Sequence, residues 1–290
     1  MPTPFPPASV DGLTADLREV GYLADRGLAT ASHIALTLGR PLLLEGEVGV
    51  GKTELAKTMA AMYGRDLIRL QCYEGIDAGQ ALYEWDYARQ LLKVRASDGG
   101  DGSIDHLFTD EFLVERPLLR AVRAGAQCVL LIDEIDRADD EFEAFLLEVL
   151  SDFQVTVPEI GTIEAPSAPI VILTSNRTRE LHDALKRRCL YHWIGFPARE
   201  REIDIVMSRI PGVAAAMAEQ VVDAVNRLRD MDLAKPPGVA ETLDWTESLR
   251  VVGADALDEQ VVLDTIGAVV KDRDDLEVVG DMIGHVSSGT

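Results

Sequence analysis

Residues 41–63 read PLLLEGEVGVGKTELAKTMAAMY. This stretch opens with an apolar run typical of a buried strand and closes with helical periodicity over Glu54–Tyr63. Between the two, residues 46–53 match the pattern G-x-x-x-x-G-K-[ST]. Glycines here let the backbone curl, so that successive N–H groups and the positive end of the helix can surround phosphate groups. The stretch therefore predicts a phosphate-binding loop between a strand and a helix.

Two side chains of this loop have predicted roles in binding ATP and magnesium. Lys52 is expected to neutralise the phosphate oxygens of ATP, and the hydroxyl of Thr53 is expected to ligate Mg²⁺. The other candidate nucleotide contacts are Gly46, Glu47, Val48, Gly49, Val50, Gly51 and Glu54.

Two further apolar runs end in polar side chains. Val129–Ile132 is followed by Asp133 and Glu134, and the next such run leads to Asn176. Because the carboxyl ends of parallel strands face the ligand crevice, these side chains are expected near the phosphates. Asp133 can bind Mg²⁺ directly or through water, Glu134 can polarise the attacking water, and Asn176 can orient that water by its amide.

The amino-terminal two thirds of the chain alternates short apolar runs with stretches of helical periodicity. This alternation is typical of a covered parallel sheet and predicts an α/β fold. The predicted strands are Pro41–Leu44, Leu67–Cys72, Cys128–Ile132 and Ile170–Thr174. The predicted helices include Leu23–Leu38 and one after Asp139, with an apolar stripe at Phe142, Phe145, Leu146, Val149 and Leu150.

Two hairpin-like insertions interrupt the alternation. In the first, bulky and acidic residues alternate over Leu82–Tyr87, and a flexible tip follows at Ala96–Ser103. In the second, residues 153–157 and 162–164 flank the turn signal Pro158–Gly161.

Three aromatic residues of the first insertion recur at every second position. On a strand, Tyr83, Trp85 and Tyr87 would share one face, opposite the acidic residues between them. This spacing is consistent with packing in the core. It is also consistent with an exposed aromatic face that contacts a client protein.

The strand signals stop at Pro197, and helical patterns follow. They cover Arg199–Arg209, Val213–Met231, Val239–Val252 and Leu257–Lys271. We therefore predict a nucleotide-binding α/β domain over residues 13–196 and a small helical domain over residues 197–275. The proline-rich start predicts a flexible tail over residues 1–12, and residues 276–290 are expected to form a carboxyl-terminal tail.

The composition limits the classes of partner. Fifty acidic residues against 28 basic ones give a net charge of −22, which repels polyanions and makes nucleic acid an unfavourable partner. No run of about 18 apolar residues occurs, and the first residues lack a secretory pattern, so we expect no membrane insertion and a cytoplasmic location. Cys72, Cys128 and Cys189 have no CxxC spacing and are expected to be buried, reduced thiols.

Two adjacent arginines, Arg187 and Arg188, follow a helical stretch after the strand that leads to Asn176. An arginine fits poorly into a core. Each is therefore either solvated or supplied to the nucleotide of a neighbouring subunit.

The order of phosphate loop, Asp-Glu strand, asparagine strand and paired arginines resembles the AAA+ ATPases. The two insertions and the phrase Asp133-Glu134-Ile135-Asp136-Arg137-Ala138 resemble the MoxR subgroup, most closely its branch associated with carbon monoxide dehydrogenase maturation. The resemblance implies an αβα P-loop core, a helical lid and assembly into a ring, expected to be a hexamer. It also implies remodelling or metal-cofactor insertion on client proteins, such as a metalloenzyme, and a partner with a von Willebrand factor A domain.

The same resemblance suggests roles for single residues. Asn176 matches the first sensor, and Arg188 matches the arginine finger, with Arg187 as the alternative. Gly21 and Tyr22 match the segment whose backbone meets adenine.

One position departs from the pattern of the family. Where relatives carry the second sensor arginine at the start of a lid helix, this chain has Glu241. Arg250, Lys235 or a partner subunit could compensate, or sensing by the lid differs in this protein.

Two other functions use a similar phosphate loop. A DNA-acting AAA+ motor shares the ATPase core, but the acidic composition argues against it. A small-molecule kinase is the other, and the helical lid and the arginine-finger position favour the ring ATPase over it.

Overall fold

The computed structural model describes residues 5–96 and 107–287. The described residues form two compact units. The first unit consists of the amino-terminal segment up to Asp16, Arg26–Glu45 and Thr53–Trp193. The second consists of Leu17–Asp25, Gly46–Lys52 and the chain from Ile194 onward.

Strands alternate with helices along the first unit. The strands are β1 (Leu42–Gly46), β2 (Asp66–Gln71), β3 (Tyr83–Trp85), β4 (Leu113–Glu115), β5 (Cys128–Asp133), β6 (Gln154–Val157), β7 (Gly161–Glu164), β8 (Ile170–Ser175) and β9 (Leu190–Ile194). The first eight helices are α1 (Val10–Glu19), α2 (Arg26–Leu38), α3 (Lys52–Tyr63), α4 (Ala78–Leu82), α5 (Tyr87–Ala96), α6 (Pro117–Ala124), α7 (Asp140–Asp152) and α8 (Asp183–Arg188).

The second unit is mainly helical. Its helices are α9 (Arg199–Arg209), α10 (Ala215–Arg229), α11 (Val239–Val252), α12 (Glu259–Thr265), α13 (Arg273–Asp281) and α14 (Ile283–Ser287). None of the helices within 5–96 and 107–287 is long and apolar enough to cross a bilayer.

The main sheet has the order β2-β5-β8-β1-β9. The pairs β2/β5, β5/β8 and β8/β1 are parallel, so these strands end at the same edge of the sheet. Every residue of β1, β5 and β8 is buried, as expected for strands covered on both faces. The α/β fold class and the four predicted strands are confirmed.

The fifth strand of the sheet, β9, was not predicted. Its first four residues alternate between half-buried and exposed positions, with Tyr191 and Trp193 exposed, and Ile194 at its end is buried. An edge strand of this kind lacks the continuous apolar run that marks the central strands.

The apolar stripe of α7 packs as its spacing predicts. Phe142, Leu146, Val149 and Leu150 are buried in one cluster with residues of β5 and β8, and Phe145 packs against that cluster from a partly buried position. The stripe therefore attaches α7 to the sheet directly after the Asp-Glu segment.

The two insertions differ in form. The second is an antiparallel hairpin of β6 and β7, as predicted. In the first, β3 pairs antiparallel with β4, but helix α5 begins at Tyr87 and lies between them in the chain. The prediction that Tyr87 continues the strand is wrong. The predicted tip at Ala96–Ser103 lies outside the described residues, apart from Ala96 at the end of α5.

The aromatic residues of this insertion consequently divide between two environments. Trp85 is buried and makes edge-to-face contacts with Tyr83 and Phe108. Tyr87 is 65% exposed on α5. No single aromatic face exists, because the change from strand to helix after Trp85 alters the direction of successive side chains.

Three segments begin or end differently from their predictions. Helix α1 begins at Val10, inside the predicted tail of residues 1–12, and α2 begins at Arg26 rather than residue 23. Helix α12 covers only Glu259–Thr265 of the predicted segment, and α13 and α14 occupy most of the described part of residues 276–290.

The three cysteines are buried and free, which confirms the prediction. Burial raises the pKa of Cys72 and Cys189 to about 12 and that of Cys128 to about 11. Each thiol therefore stays protonated and unreactive at neutral pH.

A buried ion pair stabilises the second unit. Arg229 and Glu202 meet in a bidentate pair with N–O distances of 2.6 and 2.8 Å, and Glu202 is fully buried. The hydroxyl of Thr242 donates to Glu202 at 2.7 Å, and Arg229 Nε donates to the carbonyl of Pro237 at 2.8 Å. The pair thus joins α9, α10 and α11 with most of its polar atoms satisfied.

We predict that Arg229→Met destabilises the protein by about 3–5 kcal/mol, because it leaves the Glu202 carboxylate buried and unpaired. The matched control, Arg199→Met, removes an exposed pair with Asp223 and should change stability far less. Denaturant unfolding of the two variants measures the difference. Equal losses for both would contradict the assigned role of the buried pair.

Candidate nucleotide site

The phosphate loop leads from β1 into α3. Gly49 and Gly51 have φ values of 76° and 95°, a region that glycine adopts without strain. The Lys52 side chain folds back along the loop, and its Nζ donates to the carbonyls of Gly46 at 2.7 Å and Glu47 at 2.6 Å. The loop thus holds the ammonium group beside its own curved backbone.

Helix α11 contacts this loop within the second unit. The N–H of Ala240 donates to the carbonyl of Gly49 at 3.1 Å. A Cβ at Gly49 would lie 2.8 Å from Glu241 Oε2 and 3.2 Å from the Cα of Gly238, so a side chain there would press on the first turn of α11. The first turn of α11 therefore fixes the middle of the loop.

The predicted adenine segment also lies against the loop. Gly21 has a φ of 80°, and the hydroxyl of Tyr22 donates to the carbonyl of Gly51 at 3.3 Å. The structure therefore brings the Gly21-Tyr22 segment to the loop that precedes Lys52.

In the first unit, the carboxylate of Asp133 lies at the end of β5 and is 3% exposed. Its Oδ1 accepts a hydrogen bond from the hydroxyl of Thr53 at 3.0 Å and from that of Thr174 at 2.5 Å. Hydroxyl and carboxylate oxygens are the ligands that Mg²⁺ prefers. The residues present thus fit a magnesium ion held by Thr53 and Asp133.

The other oxygen of Asp133, Oδ2, accepts hydrogen bonds from an arginine. Arg69 on β2 donates to Oδ2 from Nε at 2.9 Å and from Nη2 at 2.6 Å. The same Nη2 also donates to Gln71 Oε1. Both oxygens of the carboxylate therefore have protein donors.

Glu134 leaves the strand in a left-handed conformation, with φ 55° and ψ 50°. Such a conformation is uncommon for a residue with a side chain and marks a local constraint. Its N–H donates to Thr174 Oγ1 at 3.0 Å, and its Oε2 accepts from Gln71 Nε2 at 3.0 Å. Arg137 lies 3.5 Å from the same carboxylate.

Glu134 and Asn176 line one cavity of about 930 Å³. Asp136 fastens the segment after β8, because Thr178 donates to its carboxylate from the backbone at 2.8 Å and from the hydroxyl at 2.7 Å. The cavity lining is acidic, since Glu74, Asp136, Asp139, Asp140 and Glu134 outnumber Arg137 and Arg179.

The two candidate finger arginines lie at the end of α8 and are exposed. Arg40 donates to the backbone carbonyls of Arg187 at 2.7 Å and Arg188 at 3.2 Å, which fixes the main chain but not the guanidinium groups. Within the part of the chain that the structure describes, neither guanidinium forms an ion pair.

Glu241 has a local structural role. Its carboxylate accepts a hydrogen bond from the N–H of Gly238 at 2.9 Å and so caps the first turn of α11. Lys235 and Arg250 were suggested as substitutes for the second sensor arginine. Both form ion pairs within the second unit, Lys235 with Asp272 and Arg250 with Glu247.

Sequence reasoning missed three residues of this site. Thr174 bridges Asp133 and the backbone of Glu134, while Arg69 and Gln71 on β2 contact the two carboxylates. The available signal for Arg69 and Gln71 was the presence of polar residues at alternate positions of β2. Since β2 pairs with β5 and Gln71 lies opposite Asp133, these side chains reach the carboxylates.

Comparison with known proteins places the chain in a family. A family model described as AAA domain (dynein-related subfamily) matches residues 41–189. NorQ of Paracoccus denitrificans is 30% identical over 173 residues, which are 57% of this chain and 56% of that protein. The gas vesicle ATPase GvpN of Haloferax mediterranei is 26% identical over 267 residues, 88% of this chain and 75% of that protein.

A solved structure shows the same fold. A mutant of Thermotoga maritima RuvB superposes with a TM-score of 0.51 at 18% identity, covering 99% of this chain and 82% of that one. The chain spans about half the length of the first curated relatives it matches. These matches confirm the resemblance drawn from the motifs: the chain is a MoxR-like member of the AAA domain family.

Proposed function

We propose that the protein hydrolyses ATP in a magnesium-dependent reaction and uses the energy to remodel or mature a client protein. The observation that carries the proposal is the hydrogen bond of 3.0 Å between Thr53 and Asp133, with Glu134 as the next residue. It joins the end of the phosphate loop to the carboxylates at the end of β5. AAA family membership supports nucleotide binding by the loop.

Each residue of the site has a distinct role in this reaction. The loop N–H groups and Lys52 bind the phosphates of ATP, and Thr53 and Asp133 would hold the metal ion. When bound, Mg²⁺ supplies positive charge to the phosphate oxygens. Glu134 accepts a proton from the attacking water, and Asn176 on the same cavity orients that water.

We further propose that the site is completed by a neighbouring subunit in a ring, with the hexamer as the expected form. Support comes from the acidic lining of the cavity at Glu134 and from the two exposed arginines on α8, whose guanidinium groups are complementary in charge. Arg188 is the proposed finger and Arg187 the alternative. An arginine supplied in this way stabilises the charge on the transferred phosphoryl group.

Membership in the MoxR-like group supports a proposal for the biological role. We propose a cytoplasmic maturation factor that acts on a client such as a metalloenzyme, together with a partner that has a von Willebrand factor A domain. Within the MoxR-like group, we propose that this chain belongs to the branch associated with carbon monoxide dehydrogenase maturation. In this scheme residues 13–196 bind nucleotide and residues 197–275 form the lid.

Glu134→Gln is expected to lower ATP turnover by about 10²–10⁴-fold, because the amide keeps the size of the side chain but cannot accept the proton. Binding of ATP should persist. Phosphate release and ATP calorimetry measure the two quantities. Glu141→Gln, an exposed change on α7, is the control, and a turnover in Glu134→Gln similar to the control would refute the assignment.

Mixing of two inactive variants tests whether the site is shared. Arg188→Ala and Glu134→Gln should each be inactive alone, and mixed assemblies should regain activity. Some of their interfaces combine an intact Glu134 with an intact Arg188 from the adjacent subunit. No recovery despite proven subunit exchange rejects Arg188 as a finger in trans, and recovery with Arg187→Ala instead assigns the role to Arg187.

A further inference from the structure

Arg69 contacts the carboxylate that is proposed to hold the metal ion. Its Nε and Nη2 lie 2.9 and 2.6 Å from Asp133 Oδ2, and no water-sized gap separates the two groups. Charge-assisted bonds of this length are among the stronger hydrogen bonds in proteins. Asp133 thus has a positively charged partner that belongs to the chain itself.

The two partners differ in freedom to move. The side chain of Asp133 is 4% exposed and is further held by Thr53 and Thr174, whereas the side chain of Arg69 is 51% exposed. Arg69 also donates to Gln71 Oε1, which gives its guanidinium a second acceptor on the same strand. The arginine can therefore move into solvent when another cation takes its place at the carboxylate, while the carboxylate itself stays in position.

We propose that Arg69 is a resident counter-ion of Asp133 that competes with the metal ion and so lowers the affinity of the site for Mg²⁺. The inference rests on the proposed magnesium-dependent reaction. Two cations that share one nearly buried carboxylate repel each other, and the repulsion is strong where water is excluded. The metal ion is therefore retained only together with nucleotide phosphates, whose negative charge offsets the guanidinium.

A purely structural role for Arg69 predicts the opposite sign. If Arg69 served to orient Asp133 for the metal ion, its removal would weaken Mg²⁺ binding. If Arg69 competes, its removal strengthens Mg²⁺ binding. The sign of the change thus separates the two roles.

The experiment measures ADP affinity of the full chain by calorimetry over a series of MgCl₂ concentrations. For Arg69→Met, the MgCl₂ concentration that gives half of the gain in ADP affinity should fall by about three- to tenfold, because the competing charge is gone. Arg69→Gln removes the charge but keeps a hydrogen-bond donor, and it should shift in the same direction. This second variant keeps the test valid should Arg69→Met fold poorly, which thermal unfolding reveals.

Arg116→Met is the matched control. Arg116 is 45% exposed and pairs with Glu84, so the substitution removes the same charge from a similar surface position away from Asp133. Arg116→Met should leave the MgCl₂ concentration for half of the gain in ADP affinity at the wild-type value. If this concentration is unchanged or raised in both Arg69 variants, the inference is overturned. ADP binding by the wild type that does not respond to MgCl₂ would overturn the proposed magnesium dependence as well.

Discussion

The rest of the site depends on how one buried carboxylate, that of Asp133, is satisfied. An ionised carboxylate at 3% exposure is costly unless it is paired and hydrogen-bonded. Here two hydroxyls share one oxygen, and a guanidinium binds the other. Because these donors come from α3, β8 and β2, the carboxylate connects three elements around the end of β5.

This arrangement explains the backbone around it. Thr174 donates to Asp133 and accepts from the N–H of Glu134, so a single hydroxyl fixes the carboxylate and the residue that follows it. The chain then leaves the strand through the left-handed conformation of Glu134. Backbone constraint of this kind is stored where function requires a defined side-chain direction. The proposed catalytic base is thereby oriented by the same contacts that hold the proposed metal ligand.

Much of the fold could be predicted because its signals are local. Continuous buried runs revealed β1, β5 and β8, a mainly apolar run revealed β2, and the 3.6-residue stripe revealed α7. The polar pattern of β2 alone could not predict the contacts of Arg69 and Gln71 with the two carboxylates, because these contacts depend on which strand pairs with β5 and in which register. Likewise Glu241 departs from the family pattern in sequence, and only the geometry shows that its carboxylate caps α11.

In the proposed site, Thr53 and Asp133 act as one unit in binding ATP with magnesium. A double-mutant cycle with Thr53→Val, Asp133→Asn and the combined variant, followed by calorimetry of Mg-ATP binding, tests it directly. Residues that share an interaction show coupling of about 0.5–3 kcal/mol. If the two residues act together, the combined variant binds no more weakly than the weaker single variant. Losses that simply add would contradict it.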